Sequence, residues 1–116
     1  MPHCIIEYAS ALANTVSPDT LIESVHAGTV NSGLFHVSDI KTRAMPFDHC
    51  MSGTQKNVES LFIHVCIKIL SGRTPEQRHA LSDTVLKALS LLPIPSISLT
   101  VEIVEIETQS YSKLVK

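Results

Sequence analysis

The sequence predicts an α/β (α+β) fold in which one βαβ unit is used twice, giving a four-stranded sheet with two helices on one face. Three observations carry this reading. Two stretches, Ser17-Pro18-Asp19 and Thr74-Pro75-Glu76, open helices with the same device. Strand-like alternation flanks each of them. The order strand, helix, strand then recurs after a polar stretch, the signature of a repeated unit.

Each helix start puts a hydroxyl at the N-cap, Pro at the first helical position and an acidic residue in the first turn. The second start adds Gln77, where a capping box wants Glu or Gln. Leu81, Val85, Ala88 and Leu92 follow at helical spacing, and Pro93 and Pro95 end the run. The first helix has a weaker stripe of Leu21, Ile22 and Val25, with Gly33 as its terminator.

His3 to Tyr8 and Val37 to Met45 read as the strands of the first unit. In Leu61 to Ile69 every odd position is apolar, so one face is strongly buried. Ile97, Leu99, Val101 and Ile103 alternate with polar residues. The phase then slips to Val104 and Ile106, which predicts a bulge or a second packing surface. The halves run over about 1–46 and 60–107 of one domain, joined by the polar loop PFDHCMSGTQKNVE at 46–59. Each crossover pairs its strands in parallel and lays its helix on one face. The opposite face and the edges are left open, and strands this apolar predict burial by other subunits.

Composition narrows the function classes. The chain has 116 residues, 44% hydrophobic and 17% charged, as in an ordinary globular domain. A net charge of -2 without a Lys/Arg block argues against nucleic acid as a partner. No apolar run reaches membrane-spanning length, and MPHCIIEYAS lacks a basic leader and carries Glu7 early, unlike a signal peptide. Cys4, Cys50 and Cys66 are odd in number and form no CxxC, which points to reduced thiols in the cytoplasm. The six histidines form no HxH or HxxxH pair, so no metal is expected.

Chemistry concentrates at Pro2. Removal of Met1 would expose it as a secondary amine, fixed in place by the strand behind it. Free α-amino groups titrate near ~7.7 to 8.0, and cationic, poorly hydrated surroundings lower that value. If Met1 stays, the nitrogen is an amide and no base. Lys41 and Arg43, two apart on a predicted strand, share one face. Arg73 just before a helix start and Arg78 in its first turn oppose the helix dipole, but beside exposed N–H groups they could receive a carboxylate.

MPHCIIEYA, IKTRAMPFD and LFIHVCIKILSGRTPEQRHAL together resemble the tautomerase superfamily, with the greatest similarity to the 5-carboxymethyl-2-hydroxymuconate isomerases. The most specific segment is the GRTPEQR run opening the second helix. The resemblance implies a homotrimer of doubled βαβ subunits that needs no cofactor and belongs to aromatic-compound catabolism. It implies that Pro2 is the general base, moving a proton in an unsaturated 2-hydroxy or 2-oxo dicarboxylic acid. It assigns Arg73 to catalysis, and Lys41 and Arg43 to binding the small-molecule carboxylate. Relatives usually have R-x-R where this chain has Lys41-Thr42-Arg43, so a point charge replaces a bidentate fork. Two alternatives remain: a dehalogenase or decarboxylase of the same fold, with Glu7 or Glu102 activating water, and a non-enzymatic oligomeric interaction protein.

Overall fold

A computed structural model of the chain describes residues 1–53 and 61–116. Strand β1 (His3–Ala9) is followed by helix α1 (Pro18–Asn31) and strand β2 (Lys41–Phe47). Strand β3 (Phe62–Leu70), helix α2 (Pro75–Ser90) and strand β4 (Ser98–Ile106) repeat the pattern. The sheet order is β2-β1-β3-β4. β1 pairs in parallel with β2 and β3 with β4, while β1 and β3 meet antiparallel at the centre. The expected four-stranded sheet with two helices is therefore present. Much of the 46–59 connection (54–59) lies outside the described residues.

Both helix starts form as the sequence predicts. Ser17 accepts from the Thr20 N–H, and Thr74 forms a full capping box with Gln77. Gly33, at φ +73, supplies the left-handed turn that releases the chain after α1. The core lies between helices and sheet. It joins Leu21 and Val25 of α1 and Leu81, Val85 and Leu89 of α2 to the inward residues of β1 and β3, including Ile6, Ile63, Val65 and Ile67. Ala88 of the predicted stripe is only half-buried, and the fully inward position is Leu89. The helices meet closely because Gly28 has no side chain: a Cβ there would lie 3.2 Å from the Val85 Cα.

Two expectations change. The strand placed at Val37 to Met45 begins only at Lys41, because Val37–Asp39 forms a 3-10 turn in which the Asp39 N–H donates to the His36 carbonyl. Ser38 and Asp39 favour such a turn over an extended chain. The phase slip in β4 is not a bulge, since pairing runs unbroken from Phe62↔Ser98 to Leu70↔Ile106. Val104 and Ile106 instead belong to the sheet face away from the helices, the second packing surface.

That open face is less apolar than the strands suggest. Its successive rows across β2, β1, β3 and β4 read Lys41, His3, Lys68, Val104, then Arg43, Ile5, Cys66, Glu102, then Met45, Glu7, His64, Thr100. Among the described residues no helix is long and apolar enough to cross a membrane.

Candidate active site

One end of the sheet collects most of the residues singled out from the sequence. The start of β1, the start of β2 and the ends of β3 and β4 all lie there, as their pairings require. Pro2 is buried at this end, and its carbonyl accepts the Lys41 N–H at 3.1 Å. Strand pairing thus begins one residue behind the nitrogen of interest and fixes its position.

Lys41 and Arg43 share the open face, as their spacing predicts. The Lys41 ammonium donates to the Asp39 carbonyl at 3.3 Å. The Arg43 guanidinium donates to Nδ1 of His3 at 3.3 Å. Burial lowers the pKa of the amino group of Met1 below the usual 8.0, and the charges of Lys41 and Lys113 lower it further against a smaller opposing pull from Asp39. A lowered amine pKa leaves more of the neutral, proton-accepting form near pH 7.

Arg73 is placed differently. Gly72, at φ +125, lets the chain turn from β3 toward α2, and Arg73 reaches across to the segment that follows α1. Its Nη2 donates to the Leu34 carbonyl at 2.8 Å, and the guanidinium lies 4.8 Å from the Phe35 ring centroid. Among the described residues no hydrogen bond joins Arg73 to Pro2, Lys41 or Arg43. One chain therefore sets Pro2, Lys41 and Arg43 at this sheet end, and holds Arg73, three residues beyond the end of β3, on the segment that leads from α1 toward β2. Arg78, the other cation at the helix start, is paired with Glu105 at 2.5 Å.

The two carboxylates considered for water activation lie along the open face. Glu102 accepts from Nε2 of His64 at 2.7 Å, while Nδ1 of that ring meets the Thr100 hydroxyl at 2.7 Å. Glu7 is opposite His64, four residues along β1 from His3. A cavity of about 380 Å³ occupies the far end of the sheet, lined by Phe47, Met51, Phe62 and Glu7. Among the described residues its lining has no Lys or Arg to pair with a carboxylate, and its polar groups include His49, Ser52 and Ser98. No group of three His, Cys, Asp or Glu that could hold a metal ion occurs among the described residues.

Three residues at the Pro2 end escaped the sequence reading. His3 follows Pro2 directly and shares a face with Lys41 and Arg43, which strand parity could have revealed. Tyr111, with its hydroxyl 3.3 Å from Nε2 of His3, and Lys113, 3.9 Å from Asp39, come from the tail after β4. That tail has no periodicity to announce where it goes.

The comparisons agree with this architecture. A 5-carboxymethyl-2-hydroxymuconate delta-isomerase crystal structure superposes with a TM-score of 0.85 at 16% identity, covering 100% of this chain and 89% of that one. A 5-carboxymethyl-2-hydroxymuconate isomerase from Deinococcus radiodurans R1 gives 0.82 at 21% identity, covering 99% and 90%. A fused 4-OT asymmetric trimer gives 0.77 at 15% identity, covering 96% and 91%. No curated relative matches by sequence. The profile of the family described as CHMI, 5-carboxymethyl-2-hydroxymuconate isomerase, matches residues 2–114. Nearly the whole chain is thus accounted for by one family, and the protein belongs to the 5-carboxymethyl-2-hydroxymuconate isomerase family.

Proposed function

We propose that this isomerase moves a proton within an unsaturated 2-hydroxy or 2-oxo dicarboxylic acid, such as 5-carboxymethyl-2-hydroxymuconate, with the amine of Pro2 as general base once Met1 is removed. The observation that carries the reading is the environment of the amino terminus. The amino group there, that of Met1, is partly desolvated and lies in the field of Lys41 and Lys113. Removal of Met1 puts the free amine one residue along, at Pro2, where the same charges would favour its neutral form.

In this mechanism neutral Pro2 takes the proton from the enol hydroxyl or an acidic carbon. The electrons spread along the conjugated chain toward a carboxylate, where Lys41, Arg43 and Arg73 stabilise the dienolate. Protonated Pro2 then returns the proton to another carbon, so the reaction balances without a cofactor. The Leu34 carbonyl engages one N–H of Arg73, and a guanidinium has five to offer. A carboxylate can therefore bind without displacing that anchor. We assign the chain to a homotrimer, in line with the trimeric relative above, with other copies covering the open sheet face. Dehalogenation or decarboxylation is the weaker reading, because it needs a carboxylate beside Pro2 and Glu102 is bonded to His64 instead.

Intact mass spectrometry should find Met1 absent. Pro2→Ala, or alkylation of the terminal amine, should lower ketonisation of a 2-hydroxymuconate-type dicarboxylate by roughly 10²–10⁴-fold, the usual worth of a positioned base. A variant as fast as the unaltered protein would rule Pro2 out.

A further inference from the structure

The side chain of Arg43 has a position that its own strand does not explain. Its backbone lies in the row of Ile5, yet its Nη1 contacts the imidazole of His3, two residues nearer Pro2. A guanidinium only donates, so Nδ1 of His3 must accept, and Nε2 then carries the ring proton. Nε2 faces the Tyr111 hydroxyl at 3.3 Å, and the two rings meet edge to face with centroids 6.4 Å apart. Tyr111 belongs to the tail beyond β4, so a residue distant in sequence holds the imidazole in one orientation.

We propose that His3 is a positioning residue for the isomerisation: Tyr111 fixes its ring, and Nδ1 of that ring draws the Arg43 guanidinium toward Pro2 to meet a substrate carboxylate. The inference rests on the reading of Pro2 as base and Arg43 as carboxylate binder. The surroundings maintain the required unprotonated Nδ1. Burial disfavours the imidazolium, and Arg43, the amino terminus, Lys41 and Lys68 all repel it, so the pKa of His3 is lowered. The acceptor therefore persists through the neutral range where the amine is to act as a base. An alternative partner for Arg43, such as a carboxylate, would neutralise the guanidinium and compete with the substrate. An uncharged imidazole orients the group and leaves its charge available.

Two substitutions separate the ring nitrogens. In His3→Asn the amide oxygen can replace Nδ1 as the acceptor for Arg43. In His3→Gln the longer amide reaches the place of Nε2 and leaves Arg43 unheld. With a 2-hydroxymuconate-type dicarboxylate, His3→Gln should raise KM about tenfold while kcat stays within about twofold, on the scale of one hydrogen bond to a charged group. His3→Asn should remain near the unaltered KM. Equal damage in both variants, an unchanged KM in His3→Gln, or a loss confined to kcat would overturn the proposal.

Long-range 1H–15N spectra of the unsubstituted protein give a readout independent of turnover and of variant folding. They should find His3 neutral at pH 7 with its proton on Nε2, and a proton on Nδ1 would overturn the proposal. Failure of the functional reading looks different. It would appear as an unsubstituted enzyme inactive on the dicarboxylate, or a Pro2→Ala variant at full rate, whatever the tautomer of His3.

Discussion

The two ends of the sheet are made by the same βαβ unit, yet they differ in chemistry. At one end β1 and β2 begin with the pair His3 and Lys41, and at the other β3 and β4 begin with Phe62 and Ser98. Because β1 and β3 run antiparallel, these are equivalent positions in the two halves. The first end has Pro2, Lys41, Arg43 and the returning tail with Tyr111 and Lys113. The second has a cavity lined by Phe47, Met51 and Phe62 together with Glu7, His49 and Ser98. A repeated scaffold thus supplies two similar ends, and a few side chains make them unlike. Among the described residues Lys41 and Arg43 gather beside the amino terminus at the first, while the cavity lining at the second has no Lys or Arg.

Substitution at the equivalent positions tests that asymmetry with the largest expected effect. Lys41→Gln should lower kcat/KM on the order of 10- to 100-fold, the scale of a hydrogen bond to a charged group, while Ser98→Ala should leave it unchanged. The pH profile should move as well. Lys41 lowers the pKa of the Met1 amine, and under the proposed function it acts in the same sense on the Pro2 amine one residue along. Its removal should let that pKa rise and leave less of the amine neutral at pH 7. The acid limb of kcat/KM should therefore shift to higher pH in Lys41→Gln. Equal responses at Lys41 and Ser98 would mean that the two ends do not differ in function.

Much of this arrangement was legible in the sequence because it rests on local rules. Thr74-Pro75-Glu76 with Gln77 specifies a helix start within four residues, and the odd-position apolar run of β3 specifies its buried face. The cation pair was legible for the same reason, since a spacing of two puts Lys41 and Arg43 on one face. The beginning of β2 was not. Val37 resembles a strand residue, and only the hydrogen bonds of the Val37–Asp39 turn show that the chain becomes extended later. The anchoring of Arg73 on Leu34 and Phe35 and the contact of Tyr111 with His3 were also hidden. Both depend on tertiary contacts between residues separated by 39 and 108 positions.

A smaller effect is expected where the halves are joined. α1 and α2 approach at Gly28, where a Cβ would meet the Val85 Cα at 3.2 Å and the Ala88 Cβ at 3.3 Å. The nearest of these atoms is helix backbone, which cannot rotate away. Gly28→Val should therefore cost about 1–3 kcal/mol by overpacking, seen as a lower urea midpoint. Gly28→Ala should lose less, because Ala gains about 1 kcal/mol in helix propensity against a smaller clash. Undiminished stability in Gly28→Val would show that the helices are free to separate, and that the seam does not hold the two units in register.

The smallest difference lies in the two helix starts, which look alike in sequence but are bonded differently. In α2 the Thr74 hydroxyl accepts from the Gln77 N–H, and the Gln77 side chain accepts in return from the Thr74 N–H. In α1 Ser17 accepts from the Thr20 N–H, but the Thr20 side chain meets the Ser17 hydroxyl instead of returning to its backbone. Loss of an N-cap costs about 0.5–2 kcal/mol, so Thr74→Ala belongs toward the upper part of that range and Ser17→Ala toward the lower. Chemical denaturation of the two variants measures the gap. Thr20→Glu supplies the carboxylate that α1 lacks for a reciprocal box and places a negative charge in its first turn, so it should raise stability by a few tenths of a kcal/mol. In that background Ser17→Ala should cost about as much as Thr74→Ala does in the unaltered chain. If the two caps remain unequal, the difference between the helix starts comes from the packing around them, and the residue at the third helical position does not set it.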